Sequence, residues 1–295
     1  MSDPAVERDA AEAASAFAHP PVAPDATAAY GEHPDHVVDF YAPREGDGSA
    51  ASAPLVVLLH GGAWRAPYDR AHVTPLADFL ARRGFAVANV EYRRGSSLPH
   101  QDADGPVAGR WPETFDDVAA AMDALPGLAA AVLPQADLRR TVVTGHSAGG
   151  HLALWAAARH VLPAGAPAGW RLPEPPPLRG VVALAPIADF EVAGKLGVCG
   201  GAAEQLLGGG AHLAERSPYA DPAVLLPTGI ATAVVHGRED IVVPAAVAES
   251  YVEAAARAGE TVGLTLLDGI GHFPLIDPGA DACAVVAEEI SQLAW

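Results

Sequence analysis

Cysteine and basic residues are scarce in this chain of 295 residues. The two cysteines, Cys199 and Cys283, are too few for a disulfide framework or a cysteine-rich zinc site, and they suit a reducing, cytoplasmic compartment. Only 18 Lys and Arg stand against 36 Asp and Glu, a net charge of −18 that should repel nucleic acid and anionic membranes. No apolar run reaches the roughly 18 residues of a membrane span. The N-terminus lacks the basic and apolar regions of a secretory signal, so none is expected.

Half of the residues are apolar, which is ample for a large buried core. The length fits one α/β domain that carries one insertion. Residues 1–33 are acidic, rich in Ala and Pro, and show no convincing period. They are therefore predicted to form a flexible acidic leader or a peripheral wrap, followed by a single domain over residues 34–295.

Short apolar strands alternate with helical segments along that domain. The run Leu55 to Leu59 is wholly apolar and lies between Pro54 and a His-Gly-Gly sequence, as expected for a strand buried on both faces. Further strands are predicted at 36–41, 85–92, 140–145, 181–185, 231–236 and 261–267, and helices at 73–83, 114–125, 148–160, 245–258 and 281–293. This alternation predicts a mostly parallel, doubly wound α/β sheet with helices on both faces.

Two segments interrupt the alternation. Residues 162–178 are rich in proline, which predicts an irregular surface loop. Residues 189–227 contain many glycines and have no strong period. Because so long an irregular stretch inside a compact domain is usually a functional insertion, a lid or cap is predicted there.

The strongest chemical signal is the sequence GHSAG at residues 145–149, a G-x-S-x-G motif. It follows the strand predicted at 140–145 and precedes the helix predicted at 148–160, which is the context a nucleophile turn requires. Small neighbours permit a turn sharp enough to expose Ser147 at the helix N-terminus, where the helix dipole favours a developing oxyanion. We therefore predict that Ser147 is a nucleophile for acyl transfer and that the Ala148 N–H is one oxyanion donor.

A second glycine motif, HGGAW, occupies residues 60–64 directly after the buried strand at 55–59. Acyl transfer needs backbone N–H groups aimed at the oxyanion, and glycines let such a loop approach the substrate closely. The second oxyanion donor is therefore predicted to be Gly62 or Ala63.

A serine hydroxyl is a weak nucleophile until a base activates it. His272 lies on a glycine-rich loop after the last strand, which makes it the candidate base. The orienting carboxylate is predicted to be Asp240, with Glu239 and Asp268 as alternatives. The chain order Ser147, Asp240, His272 is the order expected of an α/β-hydrolase.

Three further histidines, His60, His146 and His236, end predicted strands and would gather at the carboxyl edge of the sheet. Such an edge can hold a metal ion, but no carboxylate pair or HExxH spacing joins the three residues. Neither a metal nor any other cofactor is therefore expected.

Taken together, HGGAW, GHSAGGHLA, HGREDIVVP and GIGHF resemble the α/β-hydrolase superfamily, and in particular its branch of serine esterases and kynurenine formamidases (arylformamidases) with an HGGxW loop. The resemblance implies an α/β-hydrolase fold with Ser147 as nucleophile, Asp240 as acid and His272 as base. It also implies an oxyanion loop at Gly62 and Ala63. Related lipase-like esterases carry glycine where this chain has Ala63, which favours the formamidase-like branch.

The function expected from these features is hydrolysis of small carboxylic esters by a Ser-His-Asp mechanism. The first alternative is an arylformamidase acting on N-formylkynurenine, whose carboxylate and ring would need a cation and an aromatic wall; Trp64, Arg65, Arg93 and Phe190 are the candidates. A prolyl-oligopeptidase-like peptidase and a non-catalytic ligand-binding scaffold are further alternatives. The expected partner is a small ester or formamide substrate, with a homodimer left open.

Overall fold

The computed structural model describes residues 3–44, 52–95 and 107–295. Within these ranges one sheet is built from the strands β1 (Ala26–Ala29), β2 (Val37–Tyr41), β3 (Ala53–Leu59), β4 (Ala86–Val90), β5 (Ala136–His146), β6 (Gly180–Leu184), β7 (Thr232–Gly237) and β8 (Val262–Leu267). Their order across the sheet is β1-β2-β4-β3-β5-β6-β7-β8. The β1–β2 and β2–β4 pairs are antiparallel and the other neighbouring pairs are parallel, which confirms the predicted sheet.

Helices cover both faces of this sheet, as the alternating pattern predicts. They are α1 (Pro4–Ala16), α2 (Thr74–Ala81), α3 (Glu113–Val132), α4 (Ala148–Ala157), α5 (Phe190–Lys195), α6 (Ala202–Leu206), α7 (Gly210–Ala220), α8 (Ala246–Arg257) and α9 (Asp281–Ala294). Within the described ranges, no helix combines the length and apolar character needed to cross a bilayer.

The central strand β3 shows why the sheet needs two helical layers. All seven of its residues are buried. Because side chains alternate across a strand, Leu55 and Val57 join the core shared with α3, α4 and α8, whereas Val56 and Leu58 join the core shared with α2 and α9. Each fully buried aliphatic side chain of this kind contributes about 1.5–3 kcal/mol.

Residues 3–33 contain a helix and an edge strand, which fits the peripheral wrap rather than the flexible leader, the two alternatives that the sequence leaves for residues 1–33. The Asp3 side chain caps α1 by accepting the Ala5 N–H at 2.9 Å, and Pro4 begins the helix. Strand β1 then pairs with β2 at the edge of the sheet. The sequence gives little sign of α1 because Ala16 is its only buried residue, so no run of large apolar residues marks a buried face.

The segment 189–227 is largely helical rather than irregular. It contains α5, α6 and α7, joined by glycine-rich turns. Three of those turn residues, Gly197, Gly201 and Gly209, have positive φ angles, which glycine adopts without steric cost. The sequence shows no strong period there because the helices are short and the turns between them are frequent.

Candidate active site

Ser147 lies in a strained turn between β5 and α4. Its φ and ψ angles are 56° and −117°, a region that residues with a side chain rarely occupy. The turn is possible because its neighbours are small: a Cβ on Gly149 would overlap the carbonyl oxygens of Leu59 and His60, and a Cβ on Gly145 would overlap Gly149 itself. The G-x-S-x-G spacing is thus a packing requirement.

This backbone strain predicts a measurable stability difference between two variants of Ser147. A non-glycine residue in such a conformation destabilises the fold by about 1–3 kcal/mol. Glycine avoids this strain, but its larger conformational entropy in the unfolded state offsets part of the gain. Ser147→Gly is therefore expected to unfold with a free energy about 1 kcal/mol higher than Ser147→Ala. Urea denaturation of both variants measures the difference, and equal stability would show that the turn is not strained.

His272 and Asp240 form a short buried pair. Asp240 Oδ2 is 2.6 Å from His272 Nδ1, and both residues are buried. The second oxygen of Asp240 accepts the amide hydrogens of Val242 and Val243, each at 2.8 Å. Burial alone would raise the pKa of the Asp240 carboxyl, but His272 and His236 outweigh burial and hold that pKa below its ordinary value. Asp240 is therefore an anion fixed against the imidazole.

The two alternative carboxylates do not contact His272. The Glu239 side chain is 49% exposed and lies 3.7 Å from an Arg8 nitrogen. Asp268 is 88% exposed and pairs with Arg238 at 2.6 Å. Of the three predicted acids, the structure places only Asp240 at the histidine.

His146 supports the His272 loop, a role that the sequence analysis did not assign. Its Nε2 lies 3.0 Å from the His272 carbonyl oxygen, and the two ring centroids are 4.3 Å apart. Burial and the neighbouring His272 hold the pKa of His146 well below its ordinary value, so the ring is neutral and can donate one hydrogen bond.

The HGGAW loop has a run of left-handed backbone conformations. Gly62, Ala63 and Trp64 have φ angles of 106°, 52° and 55°. Gly62 and Ala63 lie in the wall of the same cavity as Ser147. The Ala148 amide, next to Ser147 in the chain, begins α4, and an amide in the first turn of an α-helix has no acceptor within the helix.

A buried polar network supports the HGGAW loop. His60 Nε2 lies 2.8 Å from Glu91 Oε1, and His60 Nδ1 lies 2.9 Å from the Gly61 carbonyl oxygen. The Tyr92 hydroxyl donates to the His60 carbonyl oxygen at 2.6 Å. Burial would raise the pKa of Glu91, but His60 and Arg94 lower it to about 2. Glu91 is thus a buried anion that fixes the loop, and the sequence motifs did not identify it.

Ser147 and His272 face one cavity of about 210 Å³. The remaining wall is mostly aromatic and apolar: Phe17, Gly62, Ala63, Arg65, Tyr68, His72, His146, Cys199, Val242, Phe273 and Ile276. An apolar cavity of about 150 Å³ holds one benzene molecule, whereas pockets for drug-sized ligands begin near 300 Å³. The space therefore suits a short acyl chain or one small ring.

Only one of the four predicted substrate-binding residues lies in this wall. Arg65 lines the cavity, and its Nη2 donates to the Cys199 carbonyl oxygen at 2.7 Å. The other three predictions are corrected. Trp64 is fully buried, and Phe190 is buried against it, with ring centroids 6.3 Å apart. Arg93 pairs with Asp117 through two nitrogens, at 2.8 and 2.6 Å, and does not line the cavity.

The helical segment 189–227 reaches the cavity through Cys199 and is anchored at its ends by two acids. Asp189 caps α5 by accepting the Val192 N–H at 2.9 Å and also accepts the Ser250 hydroxyl at 2.6 Å. Asp221, just after α7, accepts the Phe190 N–H at 3.2 Å. Burial and the nearby Asp189 raise the pKa of the Asp221 carboxyl to about 7.

That raised pKa predicts a pH-dependent stability. The Asp221 carboxyl keeps its proton up to about pH 7 in the folded chain, whereas an ordinary aspartate loses its proton near pH 3.8. Proton binding by Asp221 therefore stabilises the folded chain at low pH, and this contribution is lost as the pH rises from about 4 to about 7. The free energy of unfolding of wild type minus that of Asp221→Asn is therefore expected to fall between about pH 4 and pH 7. Denaturant titrations across this range measure it, with the exposed Asp281→Asn as control. A difference that does not change with pH would contradict the assignment.

The sequence model of the BD-FAE family matches residues 38–254. The chain belongs to the BD-FAE family. Solved structures similar to this BD-FAE chain include a truncated carbohydrate esterase from gut microbiota, at 19% identity and a TM-score of 0.72, covering 94% of this chain and 99% of that one. Another is esterase B from Lactobacillus rhamnosis inhibited with a tributyrin phosphonate, at 20% identity and a TM-score of 0.72, covering 98% and 92%. These likenesses show that the fold is the predicted α/β-hydrolase fold.

Among curated proteins, a match is the non-reducing polyketide synthase Preu3 of Preussia isomera, 33% identical over 124 residues. That match spans 42% of this BD-FAE chain and only 5% of the synthase. The comparisons support the esterase side of the predicted resemblance and give no support to its kynurenine formamidase branch.

Proposed function

We propose that this protein hydrolyses small carboxylic esters through an acyl-enzyme formed on Ser147. The observation that carries the proposal is the convergence of the strained Ser147 turn and the 2.6 Å His272–Asp240 pair on one cavity. A structural serine in a Gly-rich turn has no need of a buried histidine–carboxylate pair facing the same space. The solved neighbours described as esterases agree with this reaction class.

In the proposed reaction, Ser147 Oγ attacks the ester carbonyl carbon while His272 Nε2 takes the hydroxyl proton. Asp240 holds the imidazole through Nδ1 and stabilises the imidazolium that forms. The negative oxygen of the tetrahedral intermediate is held by the Ala148 amide and by an amide of Gly62 or Ala63. The protonated histidine then gives its proton to the leaving alcohol, and the acyl group remains on Ser147.

Hydrolysis of the acyl-enzyme is the reverse of its formation, with water in the place of the alcohol. His272 takes a proton from the water molecule, whose oxygen attacks the acyl carbon. Collapse of the second tetrahedral intermediate returns the proton to Ser147 Oγ and releases the carboxylic acid. Every proton transfer uses His272, and Glu91 and His146 keep the two loops around the cavity in place.

The size of the cavity supports small substrates. A volume of about 210 Å³ has to hold the carbonyl group and the parts of the substrate on both sides of it. Long acyl chains would have to extend into solvent and would gain little binding energy there. Short esters are therefore the proposed substrate class.

A rate comparison tests the proposal. We expect kcat/KM to be highest for p-nitrophenyl acetate or butyrate, lower for the octanoate, and lowest for N-formylkynurenine, the substrate of the arylformamidase alternative. Wild type and Ser147→Ala are assayed side by side so that background hydrolysis is subtracted. Failure of wild type to hydrolyse any ester faster than Ser147→Ala would overturn the proposal, and a preference for N-formylkynurenine would replace it with the formamidase.

A further inference from the structure

Helix α1 is docked on the loop that carries His272. The Glu12 carboxylate accepts the Gly271 N–H at 3.0 Å, directly beside His272 in the chain. Three residues further along the helix, the Ser15 hydroxyl donates to Asp277 at 2.6 Å. These contacts join residues more than 250 positions apart, so the position of α1 is fixed relative to the candidate base.

Phe17 follows the last residue of α1 and lies in the wall of the cavity. Its ring meets Phe273 edge-on, with centroids 5.4 Å apart, and meets His72 in the same manner at 5.9 Å. The residue is 42% exposed, so part of the ring faces outward rather than packing into a core. An aromatic side chain held at its base and open on one side is suited to contact a bound molecule.

The chemistry of acyl transfer indicates which half of the substrate Phe17 faces. The base that takes the proton from Ser147 must later reach the oxygen of the leaving alcohol, so this alcohol lies on the side of His272. Phe273 follows His272 directly, and Phe17 packs on Phe273. The acyl group is a separate substituent of the same carbonyl carbon and extends away from the leaving oxygen, whereas the carbonyl oxygen faces the amides that hold the oxyanion.

We propose that Phe17 is a specificity-determining residue that limits the leaving alcohol to about the size of one ring. This inference rests on the proposed ester hydrolysis. Helix α1 holds the ring in place through Glu12 and Ser15, and the ring closes the cavity on the His272 side. The substrate class that follows is esters of small or single-ring alcohols, and esters of fused-ring alcohols are excluded by contact with Phe17.

Two ester series separate the two halves of the substrate. Phenyl acetate and 2-naphthyl acetate differ only in the alcohol, whereas phenyl acetate and phenyl hexanoate differ only in the acyl group. Phe17→Ala is expected to raise the ratio of kcat/KM for naphthyl over phenyl acetate about tenfold or more, the size of effect that steric selection in an apolar pocket produces. The ratio of hexanoate to acetate is expected to stay within about twofold.

Matched variants distinguish an effect of the Phe17 ring on specificity from a general change in folding. Phe17→Leu should shift the naphthyl ratio by an intermediate amount, and Phe17→Trp should lower it. Val6→Ala, at an exposed position of the same helix outside the cavity wall, should leave both ratios unchanged. In active enzymes, an unchanged naphthyl ratio or a change confined to the acyl series overturns this inference alone. Absence of ester turnover by wild type overturns the proposed function and this inference with it.

Discussion

Ser147→Ala is expected to lower kcat for a short ester by about five to six orders of magnitude, with little change in the free energy of unfolding. The variant removes the proposed nucleophile, and the remaining base and orienting acid cannot act without it because the three groups work as one unit. Alanine accepts the same backbone turn about as well as serine, so the fold has no reason to change. Steady-state kinetics with p-nitrophenyl acetate and a urea denaturation curve measure the two quantities.

The matched control is Ser291→Ala, near the C-terminal end of α9 and outside the cavity wall. It should retain full activity. Retention of more than about a tenth of wild-type kcat by Ser147→Ala, a loss far too small for removal of a triad nucleophile, would show that another group is the nucleophile.

Asp240→Asn is expected to lower kcat by roughly 10⁴-fold. In wild type the carboxylate accepts the Nδ1 hydrogen of His272 at 2.6 Å, which leaves Nε2 free to take a proton from Ser147. An asparagine whose NH₂ group faces Nδ1 stabilises the opposite tautomer, in which Nε2 already carries a proton. Since the amide also ends the attraction between Asp240 and the imidazolium, the transition state loses stabilisation even when the geometry is kept.

Glu239→Gln is the natural control because it changes an adjacent carboxylate that is half exposed and does not contact His272. Its kcat should stay within about threefold of wild type, since exposed ion pairs contribute little. A large effect at Glu239 together with a small effect at Asp240 would move the orienting acid by one residue.

The positions of most strands and the proposed nucleophile could be predicted from sequence because short local patterns mark them. A wholly apolar run such as Leu55 to Leu59 is stable only inside a sheet covered on both faces. The spacing of Gly145 and Gly149 around Ser147 is visible in five consecutive residues, although the overlaps it avoids involve Leu59 and His60 as well as Gly149 itself. The proposed acid Asp240 and the proposed base His272 could be predicted because the chain order of this fold restricts where they can occur.

The helix α1 and the cavity wall could not be predicted because they depend on contacts between distant parts of the chain. Nothing near Phe17 in the sequence indicates that it meets Phe273. Trp64 is predicted as a substrate contact from its place in the HGGAW loop, yet its ring is fully buried against His151 and Phe190. Arg93 is predicted as a cation for a substrate carboxylate, but its guanidinium pairs with Asp117 from α3.

The measurement that tests the central claim most directly is the location of a covalent adduct. A phosphonate ester resembles the tetrahedral intermediate and forms a stable bond with a nucleophile that a base activates. The protein is treated with p-nitrophenyl methylphosphonate ethyl ester, and its intact mass, residual activity and tryptic peptides are followed together. We expect one adduct per chain on Ser147, a loss of activity in proportion to labelling, and no adduct with Ser147→Ala. An adduct on another residue that abolishes activity, or full activity in a chain labelled at Ser147, would contradict the account.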